Sequence, residues 1–305
     1  MNKPFAITLD VGTSRANHTG AWRTERPVYR DLLPPCNNAC PAGENIQQWR
    51  YHAEAGEYEA AWRVLMADNP FPAIMGRVCY RPCETACNRA QLDSAVGINS
   101  VELFLGDEAI RNGWKVPVEA APTGKRVLVV GAGPSGLSAA YHLARLGHSV
   151  VVRDAGAEPG GMMRYGIPSY RLPRDILDAE ITRLLGLDIA LEPGSAVTGL
   201  LGELRPGGGT FDAAFVACGA HIGRRTYIPA GDSARILDAV SVLRSMEDAT
   251  PPMLGRRVAV YGGGNTAMDA APDRPPARRH RGGRGVPAHP RAHARPRHRG
   301  HRGPG

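Results

Sequence analysis

The chain of 305 residues is long enough for about two domains with cores of their own, and its 43% hydrophobic and 22% charged residues sit near the averages for globular proteins, which argues against disorder over most of its length. The formal charge of +8 is local: residues 272–305 hold ten Arg and one Asp, while residues 1–271 carry 28 acidic and 27 basic groups, so the body offers no basic surface for nucleic acid. No apolar run has the length of a signal peptide or a membrane span, the stretch 5–11 being broken by Thr8 and Asp10, and a cytoplasmic location without membrane contact is expected.

Residues 1–30 read as an extension. Beyond them, five of the six cysteines fall between residues 36 and 87, spaced as C-x3-C-P (Cys36, Cys40) and C-x3-C-x3-C (Cys79, Cys83, Cys87). Thiolates are soft ligands suited to iron-sulfur clusters or zinc. Between the two groups Tyr58, Ala61, Trp62 and Leu65 recur at helical spacing, and Gly56 separates them from the segment before, which predicts two short helices over 43–69. A spacing of four sets Cys83 and Cys87 on one face of a helical turn, while Pro82 assigns Cys79 to the loop before it, so the three thiols can face one cluster. Structural zinc and disulfides are the alternatives; zinc sites favour shorter spacings, and disulfides suit an oxidising compartment.

The stretch 116–124, VPVEAAPTG, reads as a linker, with a domain boundary near residue 122. A buried strand, a glycine turn, an apolar-faced helix and a second strand follow from Lys125, which is a βαβ unit. Gly131, Gly133 and Gly136 form G-x-G-x-x-G directly after the strand 127–130, and Asp154 ends the next strand. Gly131 permits the tight turn, Gly133 lets a pyrophosphate approach the helix amino terminus, Gly136 allows close packing of helix on strand, and Asp154 can bind a ribose hydroxyl. In FDAAFVACGA an apolar strand ends near Cys218, expected to be a small buried residue. A second strand and glycine turn are predicted in RRVAVYGGGNTAMDAA, with Gly262, Gly263, Gly264, Asn265 and Thr266 before a helix; a turn without ligand is the alternative. Two dinucleotide sites suit a flavoprotein that receives hydride from a nicotinamide.

The strings CNNACPAGENIQ, NPFPAIMGRVCYRPCETACNR, VLVVGAGPSGLSAAYHLARLGH, PGGMMRYGIPSYRLP, FDAAFVACGA and VAVYGGGNTAMDAA, in this order over about residues 31–271, resemble the glutamate synthase small-subunit family, which includes the amino-terminal domains of dihydropyrimidine dehydrogenase. The resemblance implies an α/β fold: a helical iron-sulfur domain (31–122), a Rossmann-like FAD-binding domain (123–235) and the beginning of a second, NAD(P)-binding Rossmann-like domain (236–271). It implies electron flow from NADPH (or NADH) to FAD and through a 4Fe-4S cluster to an electron-accepting partner subunit. Gly131, Gly133, Pro134, Ser135, Gly136 and Asp154 match its FAD fingerprint; Gly160, Gly161 and Met162, with Arg171 in GIPSYRLP, match its flavin-ring segment; Gly262 to Thr266 and Asp269 match its NADPH motif. Cys40, Cys79 and Cys83 match three ligands of one cluster, with Glu102 where relatives place a non-cysteine ligand, and Cys36 and Cys87 match two ligands of a second. Relatives carry two further cysteines ahead of Cys36, where this chain has RPVYRDLLPP, so at most one cluster is expected. No side chain is nominated as catalytic acid or base, since hydride transfer between nicotinamide and flavin can rest on alignment. A non-catalytic zinc and nucleotide-binding module, or an inert product, is the competing reading.

Residues 272–305 contain no Leu, Ile, Phe or Lys and seven prolines, which excludes a continued helix. Their Arg-Pro-Gly composition predicts disorder; a basic arm for nucleic acid is one reading, and a shifted reading frame in GC-rich coding sequence is the expected one, since with suitable synonymous codons the segment can be re-read to restore an apolar strand. The expectation is a truncated, impaired chain.

Overall fold

The computed structural model describes residues 33–220, 223, 236–247, 254 and 258–271, so the expectations for the amino-terminal extension and for the basic tail fall outside the described residues. The described residues open with six α-helices: α1 (Pro35–Ala39), α2 (Ile46–Glu54), α3 (Tyr58–Leu65), α4 (Pro72–Val78), α5 (Pro82–Thr85) and α6 (Ile98–Asn112). Helices α2 and α3 are the two predicted over 43–69. Asn45 starts α2 by accepting a hydrogen bond from the Gln48 amide, which satisfies one of the orphan donors of the first turn. Ala61, Trp62 and Leu65 form the buried face of α3, as their spacing predicts, while Tyr58 stays partly exposed against the edge of Phe104. Helices α4 and α6 cross with their backbones in contact: a Cβ on Gly76 would lie 2.5 Å from the Leu103 Cα, and one on Gly106 would lie 2.3 Å from the Ala73 nitrogen.

A parallel sheet follows, in the order β3-β2-β1-β4. It is built from β1 (Arg126–Val130), α7 (Pro134–Arg145), β2 (Ser149–Arg153), α8 (Met162–Tyr165), α9 (Arg174–Leu185), β3 (Ala190–Glu192), α10 (Leu200–Glu203) and β4 (Ala213–Val216). In register Leu128 pairs with Val151 on one side and Ala214 on the other. Residues 127–129 and 150–152 are continuous buried apolar runs, as expected of parallel strands covered on both faces. Because β1 is flanked by β2 and by the later β4, the strand order reverses beside it, and the crevice beyond its carboxyl end is the place where open α/β sheets bind ligands.

One apolar core runs across both regions, joining Trp49, Trp62 and Leu65 of the helices to Tyr141, Leu177 and Ile181 of α7 and α9. The Tyr141 hydroxyl donates to the Met66 carbonyl at 2.6 Å, and Arg145 donates to the Ala67 carbonyl at 3.0 Å. Two expectations are corrected here. Cys218 is exposed, not buried, because β4 is the edge strand and the chain leaves the sheet at Val216. Residues 258–261 form no strand, since a strand needs a partner and none of the described residues pairs with them; Val258, Val260 and Tyr261 are accordingly exposed. The helices α11 (Ala239–Ser245) and α12 (Asn265–Ala270) complete the described chain.

Candidate functional site

The first glycine turn is formed by steric necessity. Gly131 has φ 111°, and a Cβ there would stand 2.4 Å from the Ala217 carbonyl oxygen. Gly136, in the first turn of α7, would carry its Cβ 1.8 Å from the Gly131 oxygen and 3.2 Å from Val129 Cγ1, so helix and strand touch only because both positions lack side chains. Gly133 differs: it is extended, it precedes Pro134 at the start of α7, and a Cβ on it would approach only the Gly161 Cα, at 3.8 Å. The helix amino terminus, with its unpaired amides and the Ser135 side chain position, therefore opens onto free space, as an anion site requires.

Asp154, just past β2, holds the turn: one carboxylate oxygen accepts from the Ala132 amide and the other from the Gly156 amide, each at 2.6 Å. A carboxylate has about four lone-pair sites, so both oxygens keep capacity for a ribose hydroxyl. Gly160 and Gly161 lie against the same turn. Gly160 donates its amide to the Ala132 carbonyl at 2.8 Å, and Gly161, at φ 51°, would place a Cβ 2.7 Å from the Gly133 Cα. Met162 follows, partly exposed at the start of α8. The turn and the glycine pair thus frame a cradle that any Cβ would fill, which suits a dinucleotide with its ring system near residues 160–162.

The second glycine turn keeps the local geometry. Gly262 has φ 132°, and Gly264 is the extended residue ahead of α12. Side chains added at Gly263 or Gly264 would meet nothing within 4 Å. Two contacts tie this turn to the rest. Arg171, in the segment matched to the flavin ring, donates to both oxygens of the buried Asp269 at 2.6 Å. Asn265 donates its side-chain amide to the hydroxyl of Tyr80, which stands between Cys79 and Cys83.

The cysteines divide. Cys40 follows α1, Cys79 ends α4, and Cys83 lies in α5. Burial pushes the Cys83 thiol up to about 12, with the nearby Cys79 and Cys40 adding to the rise. Burial raises Cys40 as well, followed by the charge of Glu44. Cys87 behaves oppositely: past α5, it is held below the usual thiol range mainly by the Val96 amide, with Arg50 also favouring its thiolate. Cys36, in α1, points its thiol at the Asn37 side chain. None of the six cysteines is in a disulfide. Among the described residues no three His, Cys, Asp or Glu side chains converge on a single metal ion. One buried and two half-buried thiols form a soft donor set, and a polynuclear iron-sulfur core, larger than one ion, fits it once the thiols are deprotonated.

Behind Cys40 lies an acid pair. Asn69 donates to Glu44 and to Glu102, each at 2.9 Å, and both carboxyls are buried. Burial and then Glu44 raise Glu102 to about 8, and its charge in turn reaches Cys40. Glu44 and Asn69 escaped the sequence reading; a buried acid four residues after Cys40 in CPAGEN was the available signal.

Comparison with known proteins gives two family matches in chain order. Residues 28–114 match dihydropyrimidine dehydrogenase domain II, 4Fe-4S cluster, and residues 125–273 match pyridine nucleotide-disulphide oxidoreductase. The β subunit of the NADP(+)-dependent formate dehydrogenase of Moorella thermoacetica is 34% identical over 267 residues, covering 79% of this chain and 37% of that protein. The glutamate synthase [NADPH] small chain of Mycobacterium tuberculosis is 34% identical over 251 residues, 78% of this chain and 51% of that one. The β subunit of the NADPH-Fe(3+) oxidoreductase of Geobacter sulfurreducens is 33% identical over 243 residues, 77% and 36%. The chain thus spans about half or less of the length of these relatives. The matches indicate a 4Fe-4S cluster, FAD and NADPH as cofactors.

Proposed function

The chain belongs to the family of glutamate synthase small chains and kindred oxidoreductase β subunits, and from that premise we propose that it is an NAD(P)H-dependent flavoprotein subunit that delivers electrons to a partner subunit. The observation that carries this reading is that one apolar core holds both Ala132 of the open glycine turn and Cys83, with Cys40 packed against it. When bound, the nicotinamide supplies hydride, the flavin accepts the electron pair, and the cluster passes electrons on singly.

The chain's own part is binding and alignment. Gly131, Gly133, Pro134, Ser135 and Gly136 cradle the FAD pyrophosphate on the α7 amino terminus. Asp154 holds that turn and accepts a ribose hydroxyl. Gly160, Gly161 and Met162 border the flavin ring, and Gly262 to Thr266 receive the pyrophosphate of NADPH. Arg171 and Asp269 join the two nucleotide segments to each other rather than standing free for a ligand, a role supported by the Arg171 Nη1 donating to both carboxylate oxygens. Cys40, Cys79 and Cys83 hold the cluster, with Glu102 on the Cys40 side as the candidate fourth ligand. Residues 272–305 are read as an out-of-frame segment, in keeping with a family match that stops at residue 273.

Anaerobic reconstitution of the full chain with FAD, iron and sulfide tests the assignment through flavin content and iron and labile-sulfide counts. The expected result is one flavin and about four iron atoms per chain, with iron lost in Cys40→Ser, Cys79→Ser and Cys83→Ser and retained in Cys87→Ser. A chain that binds neither flavin nor iron, or one that binds a single zinc ion instead, sinks the proposal in favour of a non-catalytic module.

A further inference from the structure

Helix α9 belongs to the nucleotide-binding region, yet its side chains brace both candidate cofactor sites. At its amino-terminal half, Leu177 Cδ2 would stand 3.3 Å from a Cβ on Gly160, and Arg174 donates to the carbonyls of Arg164 and Ile167 at 2.7 and 2.9 Å. These contacts fix the segment proposed to border the flavin ring. One helical turn further on, Glu180 crosses into the helical region. Its Oε1 accepts from the Ala73 amide at 2.8 Å, 107 residues away in sequence, and its side chain is fully buried.

Ala73 lies in the first turn of α4, where backbone amides have no partner within the helix. The same helix ends on Cys79, whose amide donates to the Met75 carbonyl at 2.9 Å. Its other restraints point away from the flavin side: Arg77 pairs with Asp107 of α6 at 2.7 and 3.0 Å, and Gly76 and Gly106 press α4 onto α6. Among the described residues, Glu180 supplies the polar bond joining the α4–α6 pair to α9. Arg183 backs it by pairing with the second carboxylate oxygen while lying over the Trp62 ring, 5.3 Å from its centroid. A buried carboxylate that satisfies both a helix-start amide and a guanidinium is costly to build and has one best geometry, which suits a spacer between two centres.

We infer that Glu180 is a positioning residue: by holding the first turn of α4 it sets the placement of Cys79, and with it the cluster, relative to the flavin segment braced by the same helix. The inference rests on the proposed flavin and cluster sites, but the contact itself is independent of them. Neither Glu180 nor Ala73 touches a cofactor in this reading.

The test uses the full chain, reconstituted as above, with Glu180→Ala, Glu180→Asp and Glu180→Gln. Asp retains the charge but falls one methylene short of Ala73; Gln retains an acceptor at the same reach. Amide exchange in residues 72–78 is measured together with the rate at which one electron, placed on the flavin by a light pulse, leaves it to reduce the oxidised cluster, and with the two reduction potentials at equilibrium. Exchange should be faster and electron passage slower in Ala and Asp than in the parent chain, with Gln closer to the parent chain than Asp and the potentials unmoved. If Ala does not fold, the Asp and Gln pair decides by the same comparison. Equal exchange and equal rates in Asp, Gln and the parent chain overturn the inference, as does a potential shift that accounts for the rate change. A parent chain without flavin or cluster defeats the proposed function instead, and exchange in 72–78 then still decides whether Glu180 holds α4.

Discussion

Around Gly131 the chain has β2 on one side of β1 and β4 on the other, and the carbonyl of Ala217 closes over the turn. Around Gly262 residues 258–261 pair with nothing among the described residues, and the nearest atom to an added Cβ is the Ala267 side chain at 3.5 Å. Yet the two turns have nearly the same backbone: the first glycine is at φ 111° in one and 132° in the other, and the third residue is an extended helix cap in both, at ψ −178° and 172°. The turn's conformation is thus a local property of G-x-G before a helix, whereas its tightness comes from the sheet around it. The residue six positions into the motif records this difference, being Gly136 where helix and strand touch and Ala267 where they do not.

The largest effect should come from disturbing the tight turn. Gly136→Ala places a carbon 1.8 Å from the Gly131 oxygen, which cannot be relieved by a side-chain rotation because both partners are backbone. A loss of about 3 kcal/mol is expected, the upper end of overpacking, together with loss of bound flavin. Thermal unfolding and flavin retention measure both; an unchanged melting temperature would show that α7 can move off β1 at little cost. An intermediate effect is expected for Arg171→Ala. It leaves the buried carboxylate of Asp269 without its guanidinium partner, and since Arg171 is itself part-exposed the penalty should be about 2 kcal/mol, below the range for fully buried pairs. Because α12 packs on α11 and not on the sheet, the loss should appear as faster amide exchange in residues 265–270 and leave the unfolding of the sheet alone. Loss of global stability would mean that the second turn is more deeply integrated than its exposure suggests.

These contrasts explain what the sequence made legible. The pair of helices over 43–69, the β1–turn–α7–β2 unit and the glycine roles follow from patterns within some thirty residues, where periodicity and sterics act directly. What escaped depends on distant partners. Cys218 follows an apolar run that looks buried, but burial depends on a neighbour strand that β4 lacks among the described residues. The run 258–261 has strand composition and, for the same reason, no ladder. Cys83 and Cys87 share helical spacing, yet α5 stops at Thr85, so Cys87 lies past the helix rather than one turn along it. Glu180 is an unremarked acid on an amphipathic helix until Ala73 arrives from 107 residues away.

The smallest effect on stability, and the sharpest use of the comparison, lies in the matched pair Gly133→Ala and Gly264→Ala. Both positions have a φ that alanine adopts readily, −79° and −81°. An added Cβ meets Gly161 Cα at 3.8 Å in the first and nothing within 4 Å in the second. Substituting glycine where alanine fits restricts the unfolded chain, a gain of about 0.5 kcal/mol, so neither variant should lower the melting temperature. Binding should separate them from Gly136→Ala: Gly133→Ala fills the space that the flavin pyrophosphate would occupy, and should fold normally while losing flavin. Gly264→Ala should keep flavin and weaken only the nicotinamide nucleotide. If Gly133→Ala retained flavin at the parent level, the open face of the first turn would be merely a gap in packing, and the cradle would have to be sought elsewhere along the carboxyl edge of the sheet.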